Sequence, residues 1–208
     1  TKGFKRDMLI ENRFLKYISF LISFIFITYV IYMIISSFSI VKNQFIDIGD
    51  ATYVNQVRTD DYTIKLADFL TKDCKSDINC EVQSILDFVT KIPYKINESI
   101  ARSSKQVVEQ NFGDCDDKSN LLISMLKVKG YEAYFVLVPK HIFVIVNLEQ
   151  KLQNLKALYI NEKRFYILES TAIGSKIAFP LKYNFNEIEA ILDPFKNKKL
   201  VINKLEYR

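Results

Sequence analysis

Cys115, His141 and Glu169 are the residues of this chain whose types and order could support covalent chemistry. Cys115 lies in NFGDCDDKS, where a glycine precedes it and apolar residues at helical spacing follow. A cysteine at a helix N-terminus faces backbone N–H groups and the positive end of the helix dipole, which favour a thiolate. His141 opens the run HIFVIVNL, and Glu169 ends the run KRFYILE. A thiol, an imidazole and a carboxylate match the nucleophile, base and orienting group of a thiol enzyme.

Each of these residues also has an ordinary structural alternative. A free cysteine is often a buried core residue, and a single histidine or glutamate at a strand end is more often structural than catalytic. Asp114, Asp116 and Asp117 surround the cysteine, and their negative charges oppose a thiolate. A cationic imidazole close to the sulfur would offset them. The hypothesis of a site therefore depends on the three residues meeting in space.

The elements that would position these residues follow from periodicity. The helix that begins near Cys115 is predicted to run to about Lys129, with Gly130 as its C-terminal stop. Three further helices are predicted before it, over 62–72, from Ile78 to before Pro93, and over 104–110. Strands are predicted over 131–138, 141–148, 163–169 and 199–202. Helices followed by an antiparallel sheet predict an α+β fold.

The N-terminal region predicts a membrane anchor. Residues 17–41 carry no charge, and about 25 apolar residues suffice to cross a hydrocarbon core of roughly 30 Å. The segment 1–16 has five basic residues against two acidic ones, so the positive-inside rule places it in the cytoplasm and the rest of the chain outside. A cleaved signal peptide is the alternative; its apolar core is usually shorter, so an uncleaved span is favoured. Residues 42–61 are predicted to be a connector and 62–208 the folded domain.

Cys74 and Cys80 are candidates for a disulfide, because they are close in the chain and a compartment outside the cytoplasm would permit it. Two reduced thiols are the alternative. Cys115 would then be the free cysteine. The three cysteines and one histidine lack the paired spacing of a zinc site, so no metal is predicted.

Charge and composition limit the classes of partner that the protein could bind. The net charge of +5 comes mainly from the N-terminal segment 1–16 and gives no case for nucleic acid. The sequence indicates no cofactor. A protein or peptide substrate, the membrane, and a larger membrane protein complex are the partners that the pattern leaves open.

Three segments resemble the transglutaminase-like cysteine peptidase superfamily, which has a papain-like core. GDCDDKSNLLISMLKVKGYEAYFVLV resembles its nucleophile segment, HIFVIVNL its histidine strand and FYILESTA its acid strand, over roughly residues 80–180. The resemblance implies a central helix packed on an antiparallel sheet. It implies Cys115 as nucleophile, His141 as general base and acid, and Glu169 as the orienting carboxylate. Glu169 departs from the family's usual Asp, and Phe143 stands where many relatives have Trp.

The resemblance implies a membrane-anchored bacterial thiol enzyme, a cysteine peptidase or amidase acting on protein amide bonds at the periplasmic side of the inner membrane. Water or a lysine amine could accept the acyl group, and a side-chain oxyanion donor stays open among Gln110, Asn111 and Tyr94. Because Glu169 departs from the family pattern, a non-catalytic structural or assembly component of a membrane complex is the alternative. A third reading is a receptor domain in which Cys115 is core.

Overall fold

A computed structural model of the chain describes residues 13–49, 51–96 and 102–208. The chain divides into two compact units, with the boundary between Asn43 and Gln44. Most of the predicted cytoplasmic segment 1–16 lies outside the described residues. Residues 97–101 lie outside the described residues as well.

The first unit is dominated by one apolar helix, α1 (Arg13–Gln44). Its part Arg13–Ile40 is long and apolar enough to cross a membrane, and its side chains are not buried within the protein. Thr28 and Ser37 donate their hydroxyls to backbone carbonyls one turn earlier, each at 2.8 Å. Hydroxyls satisfied inside the helix suit a hydrocarbon environment, where water cannot bond them. The predicted span 17–41 lies within this helix.

The helices of the second unit begin where short polar side chains can cap them. Asp60, Asp77, Ser103 and Asp114 each accept a hydrogen bond from a backbone N–H in the first turn that follows. The four helices are α2 (Asp61–Thr71), α3 (Ile78–Lys91), α4 (Ser104–Gln110) and α5 (Cys115–Val128). They agree closely with the predicted helices.

The strands form a seven-stranded antiparallel sheet and a separate hairpin. The hairpin pairs β1 (Phe45–Asp47) with β2 (Thr52–Val54). The sheet contains β3 (Ala133–Val138), β4 (His141–Val146), β5 (Leu158–Ile160), β6 (Lys163–Leu168), β7 (Ala190–Asp193), β8 (Lys198–Lys199) and β9 (Leu205–Tyr207). Its spatial order is β8-β7-β3-β4-β6-β5-β9. The strands β4 and β6, which carry the predicted histidine and glutamate, are therefore direct neighbours.

Side chains alternate between the two faces of each strand. Helix α5 packs on one of these two faces of the sheet. Phe135 and Val144 join Leu122 and the other buried residues of α5 in one core. The opposite face carries residues such as Val136 and is covered by the chain that follows β6. The predicted α+β class, with a central helix packed on an antiparallel sheet, is confirmed.

The structure corrects two predictions about the ends of the domain. Residues 42–61 are not a bare connector, because they hold the β1–β2 hairpin and bury Ile46 and Val57 in the core. The strand predicted over 199–202 is shorter and begins earlier, because β8 covers Lys198–Lys199 at the sheet edge beside β7, and only the N–H of Leu200 extends the pairing, to the Ile191 carbonyl at 2.8 Å. These strands have two to four residues, too few for an alternating pattern to stand out from the sequence.

Candidate active site

The turn before Cys115 is fixed to the chain that follows α3. Gly113 donates its N–H to the carbonyl of Pro93, and Lys95 donates its N–H to the carbonyl of Gly113, both at 3.1 Å. These two bonds place Tyr94 directly opposite Gly113 in a parallel bridge. Cys115 then opens α5, and the first N–H groups of a helix have no carbonyl partner within it.

Gly113 is required by close packing rather than by backbone conformation. A Cβ atom at this position would lie 3.0 Å from Cβ of Asp117 and 3.3 Å from Cγ of Lys118. Both neighbours are fully buried, so neither can move aside freely. The glycine lets the turn lie directly on the first turn of α5, and this close approach sets the position of Cys115.

Arg102 neutralises one of the three aspartates near Cys115. Its backbone N–H donates to Asp117 at 2.7 Å, and its guanidinium donates to the same carboxylate at 2.7 and 3.1 Å. It also donates to the Phe112 carbonyl at 2.7 Å and to the side chain of Gln110. Asp117 is fully buried. The pair is therefore a structural clamp on the cysteine turn.

Lys118 is a second buried cation beside the site. Its ammonium donates to the carbonyl of Ile92 at 2.7 Å and to that of Thr90 at 3.4 Å. Burial lowers the pKa of Lys118 to about 8, and the negative charge of Glu169 opposes this shift. The side chain ties the end of α3 to α5 and so holds the segment that carries Tyr94.

His141 and Glu169 form a bonded pair. Nε2 of His141 lies 2.9 Å from Oε2 of Glu169. The other carboxylate oxygen accepts from the backbone N–H of Thr171 at 2.9 Å and from its hydroxyl at 2.6 Å. Burial raises the pKa of Glu169, but the hydrogen bonds from His141 and Thr171 outweigh it and lower the pKa overall. Glu169 is therefore a carboxylate with both oxygens engaged.

His141 also lies next to Cys115. A side-chain hydrogen bond with Cys115, followed by the bond with Glu169, raises the pKa of His141 to about 9. Because Nε2 faces Glu169, Nδ1 is the ring nitrogen left for the sulfur. The imidazole is then protonated at neutral pH, between a sulfur and a carboxylate. The structure thus brings His141 and Glu169 into direct contact and places Cys115 next to them.

A buried pair of serines joins the three elements that carry these residues. The hydroxyl of Ser119 bonds the Ile142 carbonyl at 3.3 Å and the Ser170 hydroxyl at 3.1 Å. Ser119 lies one helical turn after Cys115, while Ile142 and Ser170 directly follow His141 and Glu169. This serine contact therefore fixes the helix relative to both strands next to the site.

Aromatic rings flank the site. Tyr183 stacks on Phe143 with ring centroids 6.1 Å apart, and on His141 at 6.2 Å. Burial raises the pKa values of Tyr94 and Tyr183, and the charge of Cys115 adds to both shifts. The two hydroxyls therefore lie within electrostatic reach of the sulfur.

Two further ionisable groups stand close to the cysteine. Burial raises the pKa of Asp116 to about 6, with contributions from Asp114 and Asp117, while His141 acts in the opposite direction. Burial also raises the pKa of Tyr53 in β2, with contributions from Asp116 and Cys115. The segment predicted to be a connector therefore supplies a side chain to the surroundings of the site.

A cleft of about 220 Å³ opens beside the histidine. Its walls include His141, Glu169, Thr171 and Tyr183, and Cys115 is not among its described lining residues. Within the described ranges, no group of three or more His, Cys, Asp or Glu side chains could hold a metal ion.

Cys74 and Cys80 form a disulfide with an S–S distance of 2.02 Å, and Cys115 is the free cysteine. The bridge ties the loop after α2 to the first turn of α3. It lies apart from the residues that surround Cys115.

The residues that support the site from a distance could not be predicted from the sequence. Arg102 and Tyr183 lie in segments without a periodic pattern, and only the folded chain shows what they contact. Thr171 follows Glu169 by two residues, so the short spacing between a carboxylate and a hydroxyl was the one available signal. Of the oxyanion donors left open, Gln110 accepts from Arg102 through its amide oxygen, and Tyr94 lies opposite Gly113.

Comparison with known proteins finds a distant likeness among solved structures. No protein-family model matches the chain, and no curated protein matches it. Among solved structures, a candidate cysteine protease from Cytophaga hutchinsonii is similar, with 16% sequence identity and a TM-score of 0.42. The likeness covers 54% of this chain and 38% of that chain.

Proposed function

We propose that this protein is a membrane-anchored, transglutaminase-like thiol enzyme, a cysteine peptidase or amidase that acts on protein amide bonds. Cys115 is the nucleophile, His141 the general base and acid, and Glu169 the orienting carboxylate. One observation carries the proposal: the imidazole of His141 is bonded to Glu169 at 2.9 Å and lies next to Cys115 at the start of α5. A nucleophile, a base and a group that orients the base are the parts that covalent acyl transfer requires.

The first step forms a bond between the Cys115 sulfur and the carbonyl carbon of the substrate. The electron pair of the C=O bond moves to the oxygen, which becomes an oxyanion. The backbone N–H of Cys115 opens α5, so it can donate to this oxygen, and the helix dipole favours the charge. The Tyr94 hydroxyl is the side-chain donor best placed to assist.

The second step breaks the amide bond. The protonated His141 gives its proton to the leaving nitrogen, the oxyanion collapses, and an amine departs from an acyl-thioester on Cys115. His141, now neutral, takes a proton from water as the water attacks the thioester. Cleavage of the C–S bond then releases a carboxylic acid and restores the thiolate with protonated His141. A lysine amine in place of water would yield a new amide bond.

The location belongs to the same proposal. The apolar helix α1 supports a single membrane span, and the basic segment 1–16 supports a cytoplasmic N-terminus. The Cys74–Cys80 disulfide supports a non-reducing compartment for the folded domain. These features favour the bacterial inner membrane, with the domain in the periplasm.

Thiol reactivity tests the proposal. The full chain in detergent micelles is treated with iodoacetamide at pH 6, where a free thiol reacts slowly, and labelling of Cys115 is followed by mass spectrometry. We expect His141→Ala to slow labelling at least tenfold, because the imidazolium that stabilises the thiolate is lost. The exposed residue Lys151 gives the control, Lys151→Ala. The proposed enzyme activity would be refuted if Cys115 were labelled no faster than N-acetylcysteine and if His141→Ala left the rate unchanged.

A non-catalytic component of a membrane complex is the competing function. The observation that favours it is that Cys115 is absent from the described walls of the cleft beside His141. The two readings differ in what Cys115→Ala does in cells that require the protein. An enzyme loses its function with this substitution, whereas a structural component keeps it and loses it only when the domain itself is removed.

A further inference from the structure

We propose that the cleft beside His141 is a specificity subsite that takes one large apolar side chain, aromatic or branched aliphatic, of a protein substrate. This inference rests on the proposed function and names its substrate class. The cleft lies on the sheet face opposite α5, between β4, β6 and the segment 179–183. Its apolar walls come from Phe143, Ile167, Ala172, Phe179, Pro180 and Leu181.

Part of the polar lining is already engaged. Both oxygens of Glu169 accept bonds, from His141 and from Thr171. The ammonium of Lys182 lies 4.9 Å from the ring centroid of Phe179, in an exposed side chain. The remaining lining residues are mainly apolar, so an apolar side chain gains by leaving water for these walls, whereas a polar one gives up its water for few partners. The walls therefore favour an apolar side chain.

The size of the cleft fits one side chain. Its volume is about 220 Å³, which corresponds to about seven waters at roughly 30 Å³ each. Leucine and phenylalanine side chains have four and seven heavy atoms and fit within it. Pockets for larger ligands usually measure roughly 300–1,000 Å³. The cleft is therefore sized for a residue of a chain rather than for a separate small molecule.

The cleft is placed next to the reacting atoms. Tyr183 lines it and stacks on His141 with ring centroids 6.2 Å apart. His141 forms part of the wall, is bonded to Glu169 and lies next to Cys115. A side chain in the cleft would thus belong to a residue at or next to the amide bond that the thiol attacks.

Matched electrophiles test the subsite on the full chain in detergent micelles. Two sets of peptidyl vinyl sulfones differ only in the first or second residue from the electrophile, which is Phe, Leu, Gly or Asp. Each labelling rate is divided by the iodoacetamide rate of the same protein, so that thiol reactivity cancels. At one of the two positions we expect Phe and Leu to exceed Gly and Asp at least tenfold, because an apolar side chain gains by leaving water for the apolar walls.

Two variants tie the preference to the cleft. Ala172→Leu fills the cavity and should reduce the Phe-to-Gly ratio toward one, whereas Leu181→Ala enlarges it and should favour Phe over Leu further. Lys151→Ala, on a distant exposed side chain, should leave the ratios unchanged. Equal rates for all four side chains at both positions, or a preference that both cleft variants retain, would overturn the subsite.

Binding without chemistry separates this inference from the proposed function. In Cys115→Ala, the affinities of N-acetyl-phenylalanine amide and N-acetyl-glycine amide are compared by NMR titration of His141. Tighter binding of the phenylalanine amide, lost in the double variant with Ala172→Leu, supports the subsite even if iodoacetamide shows an unreactive thiol. Equal or absent binding of both amides contradicts the subsite whatever the reactivity of Cys115.

Discussion

The two halves of the candidate site are held in different ways. The cysteine half is fixed by buried charges that come from distant parts of the chain, since Arg102 binds Asp117 and Lys118 binds the carbonyls at the end of α3. The histidine half is fixed by short local contacts on neighbouring strands, such as the bonds from Thr171 to Glu169. One half relies on the tertiary fold, and the other on the sheet and its adjoining turn.

This difference separates stability from chemistry. A buried ion pair that loses one partner leaves an uncompensated charge in the core, so damage to the cysteine half should strongly destabilise the domain. The contacts of the histidine half act directly on the protonation of the imidazole. Damage there should first change the pKa of His141 and the reactivity of the thiol, with a smaller effect on folding.

The largest effect is expected from Arg102→Ala, which leaves Asp117 buried without its cation. We expect the free energy of unfolding to fall by about 3–5 kcal/mol, measured by urea denaturation of the full chain in micelles and followed by far-UV circular dichroism. The control is Lys105→Ala, which removes the exposed pair with Glu109 at 3.7 Å and should cost about 0.5 kcal/mol or less. Equal losses of unfolding free energy in Arg102→Ala and Lys105→Ala would refute the stabilising role of the buried Arg102–Asp117 pair.

A second prediction uses pH to isolate the histidine half. The folded pKa of His141 is about 9, above its unfolded value of about 6.5. Its protonation therefore stabilises the fold fully below pH 6.5, and this contribution is lost as pH rises through 9. The difference in unfolding free energy between the native protein and His141→Gln should shrink by about 3 kcal/mol from pH 6 to pH 9.5.

The variant Glu169→Gln provides the internal control for this pH profile. It removes a carboxylate that raises the pKa of His141. The stability that is lost as pH rises should therefore be smaller in this variant, and it should be lost at a lower pH. The native protein and His141→Gln could instead differ in unfolding free energy by the same amount at pH 6 and at pH 9.5. That result would contradict the arrangement of Cys115, His141 and Glu169.

The sequence predicts the three central residues because each lies at a boundary with a local signature. Gly113 and Asp114 mark the start of the helix at Cys115, Pro139 marks the turn before His141, and Glu169 ends an apolar strand. Periodicity then places the helix and the strands in an order that an α+β fold can bring together. The predicted helix bounds and the three central strands agree with the structure for this reason.

The supporting residues are not predictable in the same way. A lysine is almost always exposed to water, yet Lys118 is fully buried because the carbonyls of Thr90 and Ile92 converge on it. Arg102 meets Asp117 across 15 residues of chain, in a segment that has no pattern of its own. Such partners depend on which elements pack together, and local spacing does not contain that information.

The smallest effect is expected from Tyr183, whose ring stacks on His141 with centroids 6.2 Å apart. An aromatic face stabilises a nearby cation by about 0.5–1 kcal/mol at exposed sites, so Tyr183→Leu should lower the pKa of His141 by about half a pH unit. Tyr183→Phe keeps the ring and should preserve the pKa. The chain has one histidine, so a single imidazole resonance in an NMR titration reports the value. Equal shifts in both variants would assign the effect to the tyrosine hydroxyl rather than to stacking, and would show that hydrogen bonding alone governs the histidine half.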